Sequence, residues 1–282
     1  GKHCQIVMGP AGSGKSTYCA TMMTHCKAEK RSGVHLVNLD PAAEHFEYEP
    51  TIDIRDLICV SDVMEELDYG PNGALLYCME FLLDNLDWLE DALGDYTDDY
   101  LIFDCPGQIE LYTHFSYMRT LTEMLQRWGY GVVGVYILES PFIIDRSKYF
   151  AGVMSAMSAM VNLEIPHINV LSKMDLILGG GSEEEEEKGL SEGLGTGISE
   201  RELERYLDPD PLLLLEEAQA DMPGRFHDLN RAIVELIDGF GMVSLLPFNI
   251  KDEDSIEYVL SSVDNAIQYG EDLEPKEGKE AE

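Results

Sequence analysis

Eight consecutive residues near the start constrain this chain more than any other feature: Gly9-Pro10-Ala11-Gly12-Ser13-Gly14-Lys15-Ser16, with Thr17 next. They satisfy the pattern G-x-x-x-x-G-K-[ST] at each position. An apolar run at 5–8 before them reads as a strand, and the stretch at 17–26 after them reads as a helix. Glycines let the backbone curl until the N–H groups of Gly12, Ser13 and Gly14 point at one anion, and the helix N-terminus adds a favourable dipole. Lys15 supplies charge for the β- and γ-phosphates, the Ser16 hydroxyl is a Mg²⁺ ligand, and Thr17 adds a further phosphate and metal contact. The chain binds a nucleotide.

The rest of the sequence alternates strands and helices around that loop. Buried strands are expected at 34–39, 100–103, 132–138, 167–171 and 242–246. Helices are expected at 74–86, with an extension through Trp88, Leu89 and Leu93, and at 114–128, 147–162 and 255–269. The segment 53–67 reads as short helical pieces, and Gly70-Pro71-Asn72-Gly73 as a dense turn that interrupts. The fold class implied is α/β, a mostly parallel central sheet flanked by helices, of the P-loop NTPase kind with helical insertions. One domain spans 1–178 and 199–270, with further helices at 200–206, 211–219 and 226–240. The stretch 179–198 carries Gly179-Gly180-Gly181-Ser182 and five glutamates at 183–187, and reads as a disordered acidic insertion. Residues 271–282 read as a flexible acidic tail.

Further polar groups fall at the C-terminal ends of the expected strands, where open α/β sheets bind ligands. Asp40 ends the second strand before Pro41, placed to hold Mg²⁺, to position a nucleophilic water or act as its base, or merely to fix a turn. Asp104-Cys105-Pro106-Gly107 is a D-x-x-G behind a strand, in which Asp104 supports Mg²⁺ and the Gly107 N–H reaches the γ-phosphate. Gln108 follows at once, and a side-chain amide there can orient an attacking water. Ser172-Lys173-Met174-Asp175 is a form of [NT]-K-x-D. Asp175 can accept from guanine N1–H and N2–H₂ together, a donor pair adenine lacks, while Lys173 lays its stem along the base. Ser172 keeps a hydroxyl where Asn or Thr is usual. Pro247-Phe248-Asn249 is a candidate fourth wall.

Charge narrows the partners. The sequence has 54 acidic and 19 basic residues, a net charge of −35, which argues against nucleic acid and anionic membranes as direct partners. It is equally compatible with a basic protein partner and with simple solubility. The six cysteines show no C-x-x-C pairing, and several sit in apolar segments, so reduced thiols in a cytoplasmic protein with access to the nucleus are expected. No apolar run approaches the ~20 residues of a membrane span, and no signal-peptide pattern opens the chain.

With these motifs in place, the sequence resembles the GPN-loop GTPases. The likeness is carried by the phosphate loop, Asn38-Leu39-Asp40-Pro41-Ala42, Gly70-Pro71-Asn72, Asp104-Cys105-Pro106-Gly107-Gln108-Ile109-Glu110-Leu111 and Ser172-Lys173-Met174-Asp175. It runs from about residue 4 to residue 270, excepting the acidic insertion, and lies nearest the third eukaryotic branch of that family. The resemblance implies a GTPase of SIMIBI type with GTP/GDP and Mg²⁺ as cofactors. It also implies a two-fold dimer, either a homodimer or a heterodimer with a paralogue. The Gly70-Pro71-Asn72 loop would then reach the partner's active site, where Asn72 touches phosphate or water. The family role it implies is assembly and nuclear import of RNA polymerase II, with polymerase subunits and assembly chaperones as partners. Two other classes stay open: a P-loop nucleoside or polynucleotide kinase, for which no arginine-rich lid is visible after Leu171, and a GTP-binding scaffold with negligible turnover.

Overall fold

The computed structural model describes residues 1–31, 33–94, 99–143, 146–178 and 244–269, with isolated helical positions between 203 and 235. The acidic insertion expected at 179–198, the helices expected at 200–206, 211–219 and 226–240, and the tail at 271–282 lie outside the described residues, those isolated positions apart. The strands are β1 (Lys2–Met8), β2 (Val34–Asn38), β3 (Ile52–Asp53), β4 (Tyr100–Asp104), β5 (Tyr130–Glu139), β6 (His167–Ser172) and β7 (Leu245–Pro247). The helices are α1 (Lys15–Ala28), α2 (Val60–Leu67), α3 (Pro71–Asp84), α4 (Leu86–Leu93), α5 (Glu110–Thr113), α6 (Tyr117–Arg127), α7 (Arg146–Leu163), α8 (Asp175–Leu178) and α9 (Glu253–Ala266).

Seven strands lie in the order β3-β2-β4-β1-β5-β6-β7, and every neighbouring pair is parallel. The α/β expectation holds. Because side chains alternate along a strand, each central strand feeds two cores. Cys4, Ile6, Met8, Leu101, Phe103, Tyr136 and Leu138 pack with α3, α6 and α7 on one face. Val7, Tyr100, Ile102, Val133, Val135 and Ile137 pack with α1 and α9 on the other. Each large apolar side chain sealed this way contributes about 1.5–3 kcal/mol. From central β1 the chain winds outward to β2, returns through β4, then crosses to β5 and β6, so the direction of winding reverses at β1. The crevice above such a reversal is where this architecture binds ligands. The loop after β1 opens there.

Several element boundaries differ from expectation. Gly70–Gly73 is not an interruption but the start of α3. Gly70 caps it in an extended conformation, Pro71 occupies its first turn, and the Ala74 N–H donates to Gly70 O at 2.9 Å. Proline fits because a first-turn N–H has no helical partner to lose. The apolar pattern running on to Leu93 is broken at Asn85, which leaves helical geometry while its Nδ2 donates to Phe81 O at 2.7 Å. The helix expected over 114–128 is present as α6, and a separate single turn, α5, precedes it at Glu110–Thr113. Two-residue β3 precedes a 3₁₀ turn and α2, and is tied to β2 because Asp53 Oδ1 accepts from Asn38 Nδ2 at 2.9 Å.

Candidate nucleotide site

The phosphate loop bends through two left-handed glycines, Gly12 (φ 77°) and Gly14 (φ 94°), and Gly14 caps α1. That geometry strains any residue with a Cβ. The loop is fastened from outside as well. Ser172 is buried, and its Oγ lies 2.5 Å from Ser13 O and 3.2 Å from Leu138 O, joining the loop to the ends of β5 and β6. Gly107 packs so closely on the opposite side that an added Cβ would sit 2.8 Å from Ala11 Cα. The second motif's glycine is required here by proximity.

Beneath the loop, β1, β2 and β4 deliver one ammonium and two carboxylates. Lys15 is buried and its Nζ donates to Pro10 O at 3.0 Å; burial lowers its pKa, against the pull of Asp104 and Asp40. Burial pushes the Asp104 carboxyl up to about 6, opposed by a hydrogen bond from Ser16 and by the Lys15 charge. Burial also raises Asp40, opposed by the Ala42 N–H, which donates to its Oδ1 at 2.9 Å. Asp40 is aimed by a relay the sequence reading missed. Its own N–H donates to Asn38 Oδ1 at 3.0 Å, Asn38 Nδ2 donates to Asp53, and Asp53 is clamped by Arg55, with Nη2 to Oδ2 at 2.6 Å. Thr17 turns its hydroxyl to Glu47 Oε1 at 3.3 Å.

Mg²⁺ fits this donor set. Ser16 Oγ, Asp104 and Asp40 are hard oxygen groups, and the carboxylates of buried Asp104 and half-buried Asp40 share one lysine. Among the described residues no three His, Cys, Asp or Glu side chains could hold a metal by themselves. That suits a cation taking one or two carboxylates plus substrate phosphates.

Gln108 and Asn72 meet within one chain. Gln108 Nε2 donates to Asn72 Oδ1 at 2.6 Å, so the first turn of α3 stands beside the end of β4. The base-reading motif lies at the end of β6. Lys173 takes a left-handed backbone (φ 57°) and its Nζ is 2.5 Å from Glu139 Oε2, while its carbonyl accepts from Ser140 Oγ at 2.7 Å. Asp175 is 22% exposed, with Lys251 Nζ at 3.6 Å from its Oδ2. Neither Glu139 nor Lys251 carries a sequence signal, since both act only through tertiary placement. In the 247–249 segment, Phe248 is buried against Tyr18 with ring centroids 5.1 Å apart, and Asn249 builds a turn. All six cysteines are free thiols, five of them buried. No helix among the described residues is long and apolar enough to cross a membrane.

Comparison with known proteins agrees with this geometry. Residues 7–269 match a family model described as a conserved hypothetical ATP binding protein. The protein named GPN-loop GTPase 3 of Mycosarcoma maydis is 56% identical over 281 residues, covering 99% of this chain and 96% of that one. Its namesakes in Dictyostelium discoideum and Danio rerio are 51% and 50% identical, covering 98% and 100% of this chain and 91% and 93% of theirs. In three dimensions the chain resembles a crystal structure of a GTPase in apo form from Pyrococcus abyssi. The TM-score is 0.70 at 24% identity, over 94% of this chain and 98% of that one, a likeness of fold alone. Identity of this extent over almost the whole length shows that the chain belongs to the GPN-loop GTPase family.

Proposed function

We propose that this chain is a Mg²⁺-dependent GTP hydrolase acting as a dimeric switch in the assembly and nuclear import of RNA polymerase II. The observation that carries the hydrolase reading is the convergence of Ser16, Asp104, Asp40 and Lys15 at strand ends under the phosphate loop. Bound there, Mg²⁺ would neutralise charge between the β- and γ-phosphates. Ser16 and Asp104, with Asp40 nearby, would hold it. Lys15 and the N–H groups of Gly12, Ser13 and Gly14 bind phosphate, Thr17 extends that cradle, and the Gly107 N–H faces the γ-phosphate.

Gln108 positions the attacking water. Because its Nε2 is engaged by Asn72, its carbonyl is left to accept from that water. Asp40 serves the same water as base, or holds the metal beside it. Asp175 reads guanine, Lys173 lines the base, and Ser172 secures the loop. A water-positioning amide favours hydrolysis over transfer to an acceptor alcohol.

The polymerase and dimer parts of the proposal rest on the five motifs shared with the family. A cytoplasmic protein that shuttles to the nucleus suits that role, with the paralogue, polymerase subunits and chaperones as partners. So do the acidic stretches of sequence at 179–198 and 271–282.

The test of the enzymatic part is single-turnover reaction with γ-labelled GTP and ATP. Label is expected as inorganic phosphate, from GTP preferentially, with Asp175→Asn erasing the preference. Label on an acceptor, or equal use of ATP by the unaltered protein, would overturn it. In cells, Lys15→Ala is expected to leave polymerase II subunits in the cytoplasm, and an unchanged distribution would remove the assembly role.

A further inference from the structure

The base-reading carboxylate does not stand alone. Lys251 reaches Asp175 from a different part of the chain, on a turn built to present it. β6 and β7 run side by side, with Leu171 opposite Pro247, and the Phe248 N–H donates to Leu171 O at 2.8 Å. The Asn249 N–H then donates to Ser255 Oγ at 2.8 Å, and Asn249 Oδ1 accepts from the Lys251 N–H at 3.0 Å. The Asp252 N–H closes the turn on Asn249 O at 3.1 Å, and Asp252 caps α9. The backbone of Lys251 is therefore held on both sides. Its side chain is 73% exposed and extends to within 3.6 Å of Asp175. Lys173, the cation within the motif, is taken by Glu139 at 2.5 Å.

We infer that Lys251 is a specificity-determining residue, with its ammonium donating to guanine O6 while Asp175 accepts from N1–H and N2–H₂. This rests on the reading of Asp175 as the guanine recogniser. The chemistry is one of matched edges. Guanine presents donor, donor, acceptor along N2, N1 and O6. A carboxylate with an ammonium beside it presents acceptor, acceptor, donor. Adenine places an amino group where O6 would be, so the ammonium faces N–H hydrogens and finds no lone pair. Asp175 alone discriminates by what adenine fails to donate. Lys251 adds discrimination by what adenine fails to accept. A charge-assisted bond on an exposed stem is worth less than a buried one, so an effect of about five- to tenfold is expected.

The experiment is a calorimetric titration of the full chain with Mg²⁺ and four diphosphates: GDP, IDP, ADP and 2,6-diaminopurine riboside diphosphate. The unaltered protein, Lys251→Met, Lys251→Arg and Asp175→Asn are compared. IDP keeps O6 and N1–H but lacks the N2 amine; the diaminopurine keeps that amine but carries a second one in place of O6. Lys251→Met is expected to weaken GDP and IDP by the same five- to tenfold factor. The diaminopurine compound should bind it as well as before or better, and Lys251→Arg should regain most of the GDP affinity. Unchanged GDP affinity would overturn the inference and leave a surface ion pair. Tighter GDP binding would overturn it too, making Lys251 a competitor for the carboxylate. If the unaltered protein and Asp175→Asn both bind GDP and ADP alike, the reading of Asp175 itself fails. That result is distinct from a normal GDP preference insensitive to Lys251.

Discussion

Gly107 shows how a residue can be fixed by what it lacks. Its neighbour is the Ala11 backbone, 2.8 Å from where a Cβ would stand, so the second motif is pressed directly against the first. Gly107→Ala must push the phosphate loop aside. It is expected to weaken GTP binding about tenfold, with the melting temperature little changed, because an overpacked contact costs ~1–3 kcal/mol. Unaltered affinity in a nucleotide titration would show that the loop yields freely. At this scale much was legible in the sequence, since Gly12, Gly14, Lys15, Asp104 and Asp175 are named by short-range patterns. What eluded it were the partners that aim them. Asn38, Asp53 and Arg55 around Asp40, Glu139 at Lys173 and Lys251 at Asp175 are ordinary polar residues. Their role exists only once distant strands lie side by side.

Among the elements, α3 changes meaning most. The sequence Gly70-Pro71-Asn72-Gly73 carries every local mark of a turn, yet Gly70 and Pro71 also suit a helix cap and first position, and tertiary packing decides between them. As a helix start it fixes Asn72 on a rigid support 2.6 Å from Gln108 of its own chain. Asn72→Ala is therefore expected to slow single-turnover hydrolysis about fivefold with GTP affinity nearly intact, as loss of a ~1 kcal/mol hydrogen bond implies. Mixing Asn72→Ala with Lys15→Ala should not restore the rate. Recovery in the mixture would instead assign Asn72 to a partner's site, as the family resemblance implied. The division at Asn85, the four-residue α5 and the two-residue β3 were all illegible from apolar periodicity. Breaks in apolar periodicity are invisible when both halves bury the same face, and a strand that short has no periodicity to read.

For the molecule as a whole, stability should depend on pH through His167. At the start of β6, its two ring nitrogens are sealed from solvent with no hydrogen-bond partner among the described residues, although part of the residue reaches the surface. Burial pulls its pKa down from 6.5 to about 4. The unfolded chain therefore binds a proton that the folded one refuses. The stabilisation is complete above the ordinary histidine pKa and drains away as pH falls from 6.5 toward 4, by at most about 3 kcal/mol. Urea midpoints at pH 7.5 and 5 should differ less in His167→Phe than in the unaltered protein; an identical acid loss in both would acquit this residue.

The position of β1 at the middle of the sheet also sets an order of events. Its neighbours are β4, where His3 pairs with Tyr100, and β5, where Lys2 pairs with Tyr130. A ribosome adding about 5–20 residues per second delivers β1 first and withholds both partners for several seconds. During that interval Cys4, Ile6, Val7 and Met8, destined for complete burial, have no sheet to enter. The segment that will hold the nucleotide is synthesised well before the two strands that flank it, so a nascent chain acquires its binding loop only after Glu139 has emerged.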